Sequence, residues 1–148
     1  MSADPTDSLI RRMVENAFNQ GTLAVVDELL APDGITHIPS WGMPQTREGL
    51  KQLIALFRSA FPDLQCTVED EISVGDRVAA HWMLRGTHTG LFLGNRPASR
   101  SIVVQGMIFA HIENGRIAEH WTLLDQMSML QQLGIVPPPH SKPEHQAS

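Results

Sequence analysis

Histidine is the residue type in this sequence that is best suited to chemistry, and the chain carries seven of them. An imidazole titrates close to neutral pH, so it can take up or release a proton during a reaction. No two histidines have the HxH or HxxxH spacing of metal ligands, and no predicted helix places two of them four residues apart. We therefore expect proton transfer and hydrogen bonding from these residues, and no metal site.

Three polar residues near the end of the chain, His120, Thr122 and Asp125, are candidate site residues. His120 and Trp121 are neighbours in a segment of alternating character, so they must face opposite sides of a strand. Asp125 follows at the point where this strand gives way to a helix. It could orient His120 or act as an acid/base itself. The N-cap of the helix is the favoured explanation for an aspartate at this position, and it needs no catalytic role.

Further candidates lie earlier in the chain. His37 closes a short predicted strand, directly before a loop that contains Trp41, and such a loop is where the mouth of a cavity would be. In residues 77–87, His81 and Arg85 share one face of a strand, and the guanidinium could hold a carboxylate or enolate oxygen there. The same face could instead be solvated or packed against another subunit. The opposite face is apolar and predicts packing; its residues are Val78, Ala80, Trp82 and Leu84.

The spacing of apolar residues is helical in the first part of the chain and alternating in the second. It predicts the helices and strands that position these residues. Helical spacing predicts helices at residues 9–18, at residues 22–30 and from Thr46 to a stop at Pro62, with a short strand at residues 35–38. From residue 64 the period is two, which predicts strands at the following residues: 64–74, 77–87, 101–113 and 116–124. The last two are joined by Asn114 and Gly115, a strong hairpin signal. A final helix is predicted at residues 125–133.

This order of elements predicts an α+β fold, in which a curved antiparallel sheet is covered by the N-terminal helices and encloses a cone-shaped cavity. We expect residues 1–136 to form one domain and the proline-rich residues 137–148 to be a flexible tail. His88, at the start of the long loop between the second and third of these four strands, is expected to hold that loop through hydrogen bonds. Cys66 is interpreted as an ordinary strand residue.

The composition argues against several classes of function. Eleven Lys and Arg against sixteen Asp and Glu give a net charge of −5, and no basic run is present, so we expect no nucleic-acid binding. The chain shows neither eighteen continuous apolar residues nor a secretory signal, which predicts no membrane span and a cytoplasmic location. One cysteine cannot form a CxxC site or an internal disulfide. GxSxG, GxGxxG and GxxxxGK(S/T) motifs are absent, which gives no support for a serine hydrolase, a dinucleotide enzyme or a P-loop enzyme.

Several segments of the sequence resemble one family. They are RRMVENAFN at residues 11–19, GTHTGLFLG at 86–94, NGRIAEHW at 114–121 and QQLG at 131–134. In this order they are similar to the SnoaL-like polyketide cyclases, which belong to the nuclear-transport-factor-two-like superfamily of α+β cones. The resemblance runs from about residue 9 to residue 134. It implies a homodimer or tetramer, no metal or other cofactor, and a pocket for a small apolar molecule such as a fused-ring polyketide ester.

The resemblance also implies where the site lies. Cyclases of this family close a ring by an aldol condensation and use a carboxylate on the last strand, two residues after a histidine that matches His120. The matching position here is Thr122, whose hydroxyl can donate a hydrogen bond but cannot act as a base near neutral pH. A family histidine on the preceding strand falls on Ile108, and a family asparagine falls on Thr36 or His37. His120 and Thr122 are thus expected to face the cavity.

Two hypotheses about function follow. In the first, the protein is a cofactor-free acid/base enzyme acting on a small apolar carbonyl or polyketide-like substrate. His120 would be the general acid/base supported by Asp125, and the substrate would contact the following residues: His37, Trp41, His81, Arg85 and Thr122. In the second, the protein is a non-catalytic cone that binds a small ligand. Thr122 in place of the carboxylate favours this second hypothesis.

Overall fold

The computed structural model describes residues 5–38 and 42–138. Its helices are α1 (Pro5–Arg12), which continues as a π-helix (Met13–Asn19), α2 (Ala24–Leu29), α3 (Arg47–Ala60) and α4 (Gln126–Gln132). Its strands are β1 (Leu30–His37), β2 (Gln65–Val74), β3 (Arg77–Thr87), β4 (Ser101–Glu113) and β5 (Arg116–Leu124). Trp41 and most of the proline-rich tail, residues 139–148, lie outside the described residues.

The five strands form one curved, mixed sheet in the order β1-β5-β4-β3-β2, which is the predicted α+β arrangement with one difference. The neighbours from β2 to β5 are antiparallel and joined by hairpins, whereas β1 pairs with β5 in parallel. A hairpin reverses the chain, but β1 reaches the rest of the sheet through α3, so no turn forces it to run antiparallel. Asn114 and Gly115 both have positive φ, as the predicted tight turn requires.

The first strand is longer than the sequence predicts. Pro32, Asp33 and Gly34 look like the turn that ends a helix, yet the structure includes them in β1. They occupy an irregular stretch, because the register between β1 and β5 shifts between Leu30 and Ile35. Further along the strand, the backbone N–H of Thr36 donates to the carbonyl of Gln45 at 3.2 Å. The loop before α3 thus occupies a backbone group on the free edge of β1.

The N-terminal helix changes its hydrogen-bond pattern halfway along, which apolar spacing does not reveal. Its π-helical half ends at Asn19, and Arg58 of α3 donates to the carbonyls of Phe18 and Asn19 at 2.8 and 2.7 Å. The Asn19 side chain in turn pairs with both backbone groups of Cys66, at 2.6 and 2.9 Å. This carboxamide occupies the edge of β2 and ties the helix to the sheet.

Helix α3 lies against the concave face of the sheet because one of its faces is apolar. Thr46 is its N-cap, as predicted, and accepts a hydrogen bond from the N–H of Gly49. The buried apolar residues of the helix are Leu50, Leu53, Ile54, Phe57 and Ala60. With the concave sheet residues and the N-terminal helices they form the core. In the part of the chain that the structure describes, no helix is long and apolar enough to cross a membrane.

Candidate functional site

A cavity of about 60 Å³ lies between the helices and the concave face of the sheet. Apolar side chains make up most of its wall: Met13, Val14 and Phe18 from the π-helix, Leu50, Leu53 and Phe57 from α3, Trp82 and Leu84 from β3, with Ile10, Ile38, Ile108 and Leu124. The remaining lining residues are His120, Thr122 and Cys66. One buried water needs roughly 10–15 Å³ measured in the same way, so the cavity is large enough for a small molecule or part of one.

His120 faces this cavity, and alternation along β5 is the reason. His120 is only 2 % exposed and lines the cavity with Thr122 and Leu124, whereas Trp121 and Leu123 lie on the outer face, 39 and 62 % exposed. This is the predicted orientation of the strand. It brings the one titratable cavity histidine and a hydroxyl to the same wall.

The His120 imidazole is held in its neutral form. Its pKa is lowered from 6.5 to about 4, mainly by burial, because a charged ring would lose its hydration, and to a smaller extent by repulsion from His37. Nδ1 lies 2.9 Å from Oγ1 of Thr122. Nε2 is buried and has no hydrogen-bond partner among the described residues. One ring nitrogen is therefore fixed by the protein, and the other is available to a ligand.

Thr122 and Ile108, the two positions where family site residues would fall, are neighbours in the structure. They pair across β4 and β5, and both line the cavity. The wall that would carry a carboxylate and a second histidine thus carries a hydroxyl and a branched alkyl group. The described cavity lining has no ionisable group with a pKa near neutral, because the pKa of His120 is lowered to about 4 and burial raises the pKa of the Cys66 thiol to about 12.

Thr36 is a residue of this region that the sequence analysis did not select. It is 2 % exposed and is the direct partner of His120 in the parallel pairing of β1 and β5. Its hydroxyl oxygen is buried and has no hydrogen-bond partner in the part of the chain that the structure describes, and the residue lines a second, smaller cavity of about 10 Å³. The family asparagine was placed on Thr36 or His37, and only the register of β1 against β5 decides which of the two faces inward.

His37 lies on the outer side of β1, not in the cavity, because it follows the inward-facing Thr36. Its Nε2 is 2.7 Å from Oε2 of Glu119, and its ring stacks on Trp121 with centroids 5.0 Å apart. The predicted contact of His37 with a substrate is therefore replaced by a pair with an outer-face carboxylate. Its influence on the site is the electrostatic effect on His120.

His81 and Arg85 also lie away from the cavity. Of the two alternatives left open for their face of β3, the structure has the one on the outer side of the sheet, so the substrate contacts expected of them are not possible in this cavity. Arg85 is exposed, and His81 bonds Gln105 of β4 at 2.9 Å. The opposite face of β3 turns inward because Trp82 and Leu84 fill the concave side. Gly106 of β4 makes room for Trp82, since a Cβ atom there would collide with the indole ring.

Asp125 and His88 make hydrogen bonds that stabilise local structure and do not line the cavity. Asp125 is exposed and accepts a hydrogen bond from the N–H of Ser128 at 3.2 Å, which is the N-cap role that the sequence allowed. His88 is fully buried, and its Nδ1 accepts from the N–H of Ala98 at 3.1 Å, so it holds the loop as expected. Within residues 5–38 and 42–138, no three His, Cys, Asp or Glu side chains are grouped as a metal site would require.

Comparisons with known proteins agree with this geometry. Residues 8–133 match the family model described as SnoaL-like polyketide cyclase. No curated protein matches the chain. Among solved structures, IdmH from Streptomyces antibioticus, provisionally assigned as a polyketide cyclase, is 37 % identical with a TM-score of 0.78; the match covers 89 % of this chain and 99 % of that one.

Two further structures share the fold. TsrD from Streptomyces laurentii is 26 % identical with a TM-score of 0.80, and the match covers 92 % of this chain and 99 % of TsrD. AclR from Streptomyces galilaeus, provisionally assigned as a hydroxylase, is 24 % identical with a TM-score of 0.82, covering 96 % of this chain and 88 % of AclR. Proteins with different assigned activities therefore share this architecture, so the residues of the cavity must decide the activity.

Proposed function

Because the chain belongs to the SnoaL-like polyketide cyclase family, we propose that it binds a small apolar carbonyl compound of the polyketide type in its cavity and activates it without a cofactor. His120 is the group that acts on the carbonyl oxygen. The observation that carries this proposal is a buried, neutral imidazole whose Nε2 has no partner among the described residues and which lines an otherwise apolar cavity.

The low pKa of His120 keeps the ring neutral near pH 7, so it acts as a hydrogen-bond donor and not as an imidazolium acid. When the Thr122 hydroxyl donates to Nδ1, the ring hydrogen is on Nε2 and can be donated to a ligand carbonyl. A neutral imidazole that polarises a carbonyl stabilises the negative charge that develops on oxygen while a water molecule or hydroxide ion from the solvent takes the α-proton. Enolisation of a ketone or ester is the step that this supports, and it precedes ring closure or isomerisation.

The lining also indicates the class of ligand. The described wall of the cavity holds no Arg, Lys, Asp or Glu, so a charged ligand group would lose its hydration without gaining a partner. A dry cavity of about 150 Å³ binds benzene, and the cavity here is smaller, about 60 Å³. One ring of a ligand can therefore enter only as flexible side chains such as Met13 move aside.

The α-proton exchange of cyclohexanone in D2O tests this function. We expect the protein to accelerate exchange above the buffer rate. The His120→Ala variant should lose this acceleration even at cyclohexanone concentrations raised to offset its weaker binding. His81→Ala is the matched control, because that histidine lies outside the cavity, and it should exchange at the wild-type rate. If the wild-type protein binds cyclohexanone but leaves its exchange at the buffer rate, catalysis by His120 is excluded.

The second candidate is a non-catalytic protein that binds a small ligand in the same cavity. A specific observation favours it: no carboxylate lines the cavity in the described part of the chain, and Thr122 stands where the family has one. This candidate predicts binding of apolar ketones with no acceleration of exchange. The experiment above separates the two.

We also propose that the protein forms a homodimer through the outer face of its sheet. Exposed apolar side chains form a continuous patch there, because Met107 pairs with Leu123 and Phe109 with Trp121 across β4 and β5. Patches of this kind mark interaction surfaces, and the family resemblance implies a second copy of the chain as the partner. A cytoplasmic location is proposed on the sequence argument alone.

A further inference from the structure

Two buried polar atoms in the walls of the two adjacent cavities, Oγ1 of Thr36 in the small one and Nε2 of His120 in the main one, have no hydrogen-bond partner among the described residues. Both residues are 2 % exposed, so solvent outside the protein does not reach them. Buried polar atoms in native proteins are nearly always satisfied, and a polar atom without a partner requires an explanation. A ligand that supplies the missing partner explains both atoms at once.

The two residues are placed side by side. Thr36 and His120 are direct partners in the parallel pairing of β1 and β5, and both are buried on the concave side of the sheet. Thr36 lines the small cavity and His120 the main one, and the two cavities share Ile38 and Leu53 as lining residues. The two cavities are therefore adjacent, and the two side chains that line both of them are apolar.

Both groups can donate to the same kind of atom. The Thr36 hydroxyl is a donor, and Nε2 of His120 is a donor when Thr122 donates to Nδ1. Two neutral donors on neighbouring strands suit a carbonyl oxygen, which has two lone pairs. They also suit the enolate oxygen that forms from it, as in an oxyanion hole.

We propose that Thr36 and His120 together bind one carbonyl oxygen of the ligand, and that Thr36 is a specificity-determining residue that selects ketones and esters over hydrocarbons of the same shape. This inference rests on the proposed function, because it needs a carbonyl ligand in the cavity. It adds a second donor, supplied by β1.

The binding of two isosteric probes tests the inference. Cyclohexanone and methylenecyclohexane differ only in C=O against C=CH2, and ligand-detected NMR gives a Kd for each. Thr36→Val removes the hydroxyl and keeps the shape, so we expect the Kd of cyclohexanone to rise about 3- to 10-fold. The Kd of methylenecyclohexane should stay within about twofold. Thr36→Ser should restore ketone binding, and Thr67→Val on the exposed part of β2 is the matched control.

A stability measurement separates binding from a structural role. Without ligand the Thr36 hydroxyl is buried and unpaired among the described residues, so Thr36→Val should leave the Tm unchanged or raise it. A hydroxyl with a structural role would lower the Tm when removed. A fall in Tm together with equal effects on both probes would overturn the proposal.

The remaining outcomes are also decisive. If Thr36→Val keeps the ketone affinity while His120→Ala loses it, Thr36 is satisfied by a water molecule only and the inference fails, although the proposed function stands. If the wild-type protein binds neither probe, the proposed function fails and the inference fails with it.

Discussion

His120 Nδ1 and Thr122 Oγ1 lie 2.9 Å apart on the same cavity-facing side of β5. This contact leaves Nε2 as the ring atom that faces a ligand, and burial keeps the ring neutral by lowering its pKa. The site is therefore a hydrogen-bonding site at neutral pH. Its state depends on the cost of charging a buried imidazole.

Stability is expected to fall as the pH drops from about 6.5 to 4. In this range the unfolded chain binds a proton on His120 that the folded chain does not, so the folded state loses relative free energy. The lowering of the pKa from 6.5 to about 4 corresponds to about 3 kcal/mol of unfolding free energy. Above pH 6.5 this contribution is fully present. Urea unfolding at several pH values measures it.

A His120→Gln variant is the control for this prediction, because its side chain does not titrate. Its stability should depend less on pH between 6.5 and 4.5 than that of the wild-type protein. Asp63 and Asp76 contribute little to the pH dependence of the unfolding free energy in this range. Hydrogen bonds from Thr87 and His111 lower their pKa values below 3.8, so their contributions are lost mostly at lower pH. Equal slopes for variant and wild type would show that His120 titrates alike in the folded and unfolded chains, and that burial does not lower its pKa.

Asp125→Ala is expected to lower the unfolding free energy by about 1 kcal/mol, because α4 loses its N-cap. Asp125→Asn should recover most of this loss, since asparagine caps a helix nearly as well. Both variants should exchange the α-protons of cyclohexanone at the wild-type rate. A loss of exchange in the alanine variant at unchanged stability would reverse the assignment and make Asp125 part of the catalytic machinery.

Leu123→Glu is expected to turn the proposed dimer into a monomer, because it places a charge in the apolar outer face. Leu91 is the matched control, as both leucines are 62 % exposed and Leu91 lies in the loop between β3 and β4. Leu91→Glu should leave the assembly unchanged. Sedimentation velocity measures the outcome. A wild-type protein that sediments as a monomer would refute the dimer, and a tetramer would require a second interface besides this face.

Gly106→Ala is expected to destabilise the protein by about 1–3 kcal/mol, because the added methyl group collides with Trp82 and overpacks the cavity wall. The shift of the indole should change the tryptophan fluorescence and weaken the binding of cyclohexanone. Ala79→Gly on the outer side of β3 is a control for a change of the same size. If the stability of Gly106→Ala is unchanged, Trp82 can shift to make room for the methyl group, and the cavity wall is not tightly packed at this position.

The sequence predicts which side chains of β5 face the cavity, but it does not predict the length of β1 or its pairing with β5. The physical reasons differ. Along β5 the alternation of buried and exposed residues orients His120 whatever its neighbours are. On β3 alternation also predicts which residues share a face, but both faces carry large side chains, so it does not predict that Trp82 turns inward and Arg85 outward. The position of Thr36 depends on a pairing with a strand some eighty residues away, which no local pattern encodes.

The two edge strands of the sheet each have a backbone group already bonded by a segment that is not a strand. The Asn19 carboxamide bonds Cys66 on β2, and the carbonyl of Gln45 bonds Thr36 on β1. Open edges are where sheets of separate molecules join and grow into aggregates. With these positions occupied, lateral growth is obstructed at both ends of the sheet. In the proposed homodimer, the outer face is then the surface through which two copies associate, and a sheet paired face to face offers no edge for further growth.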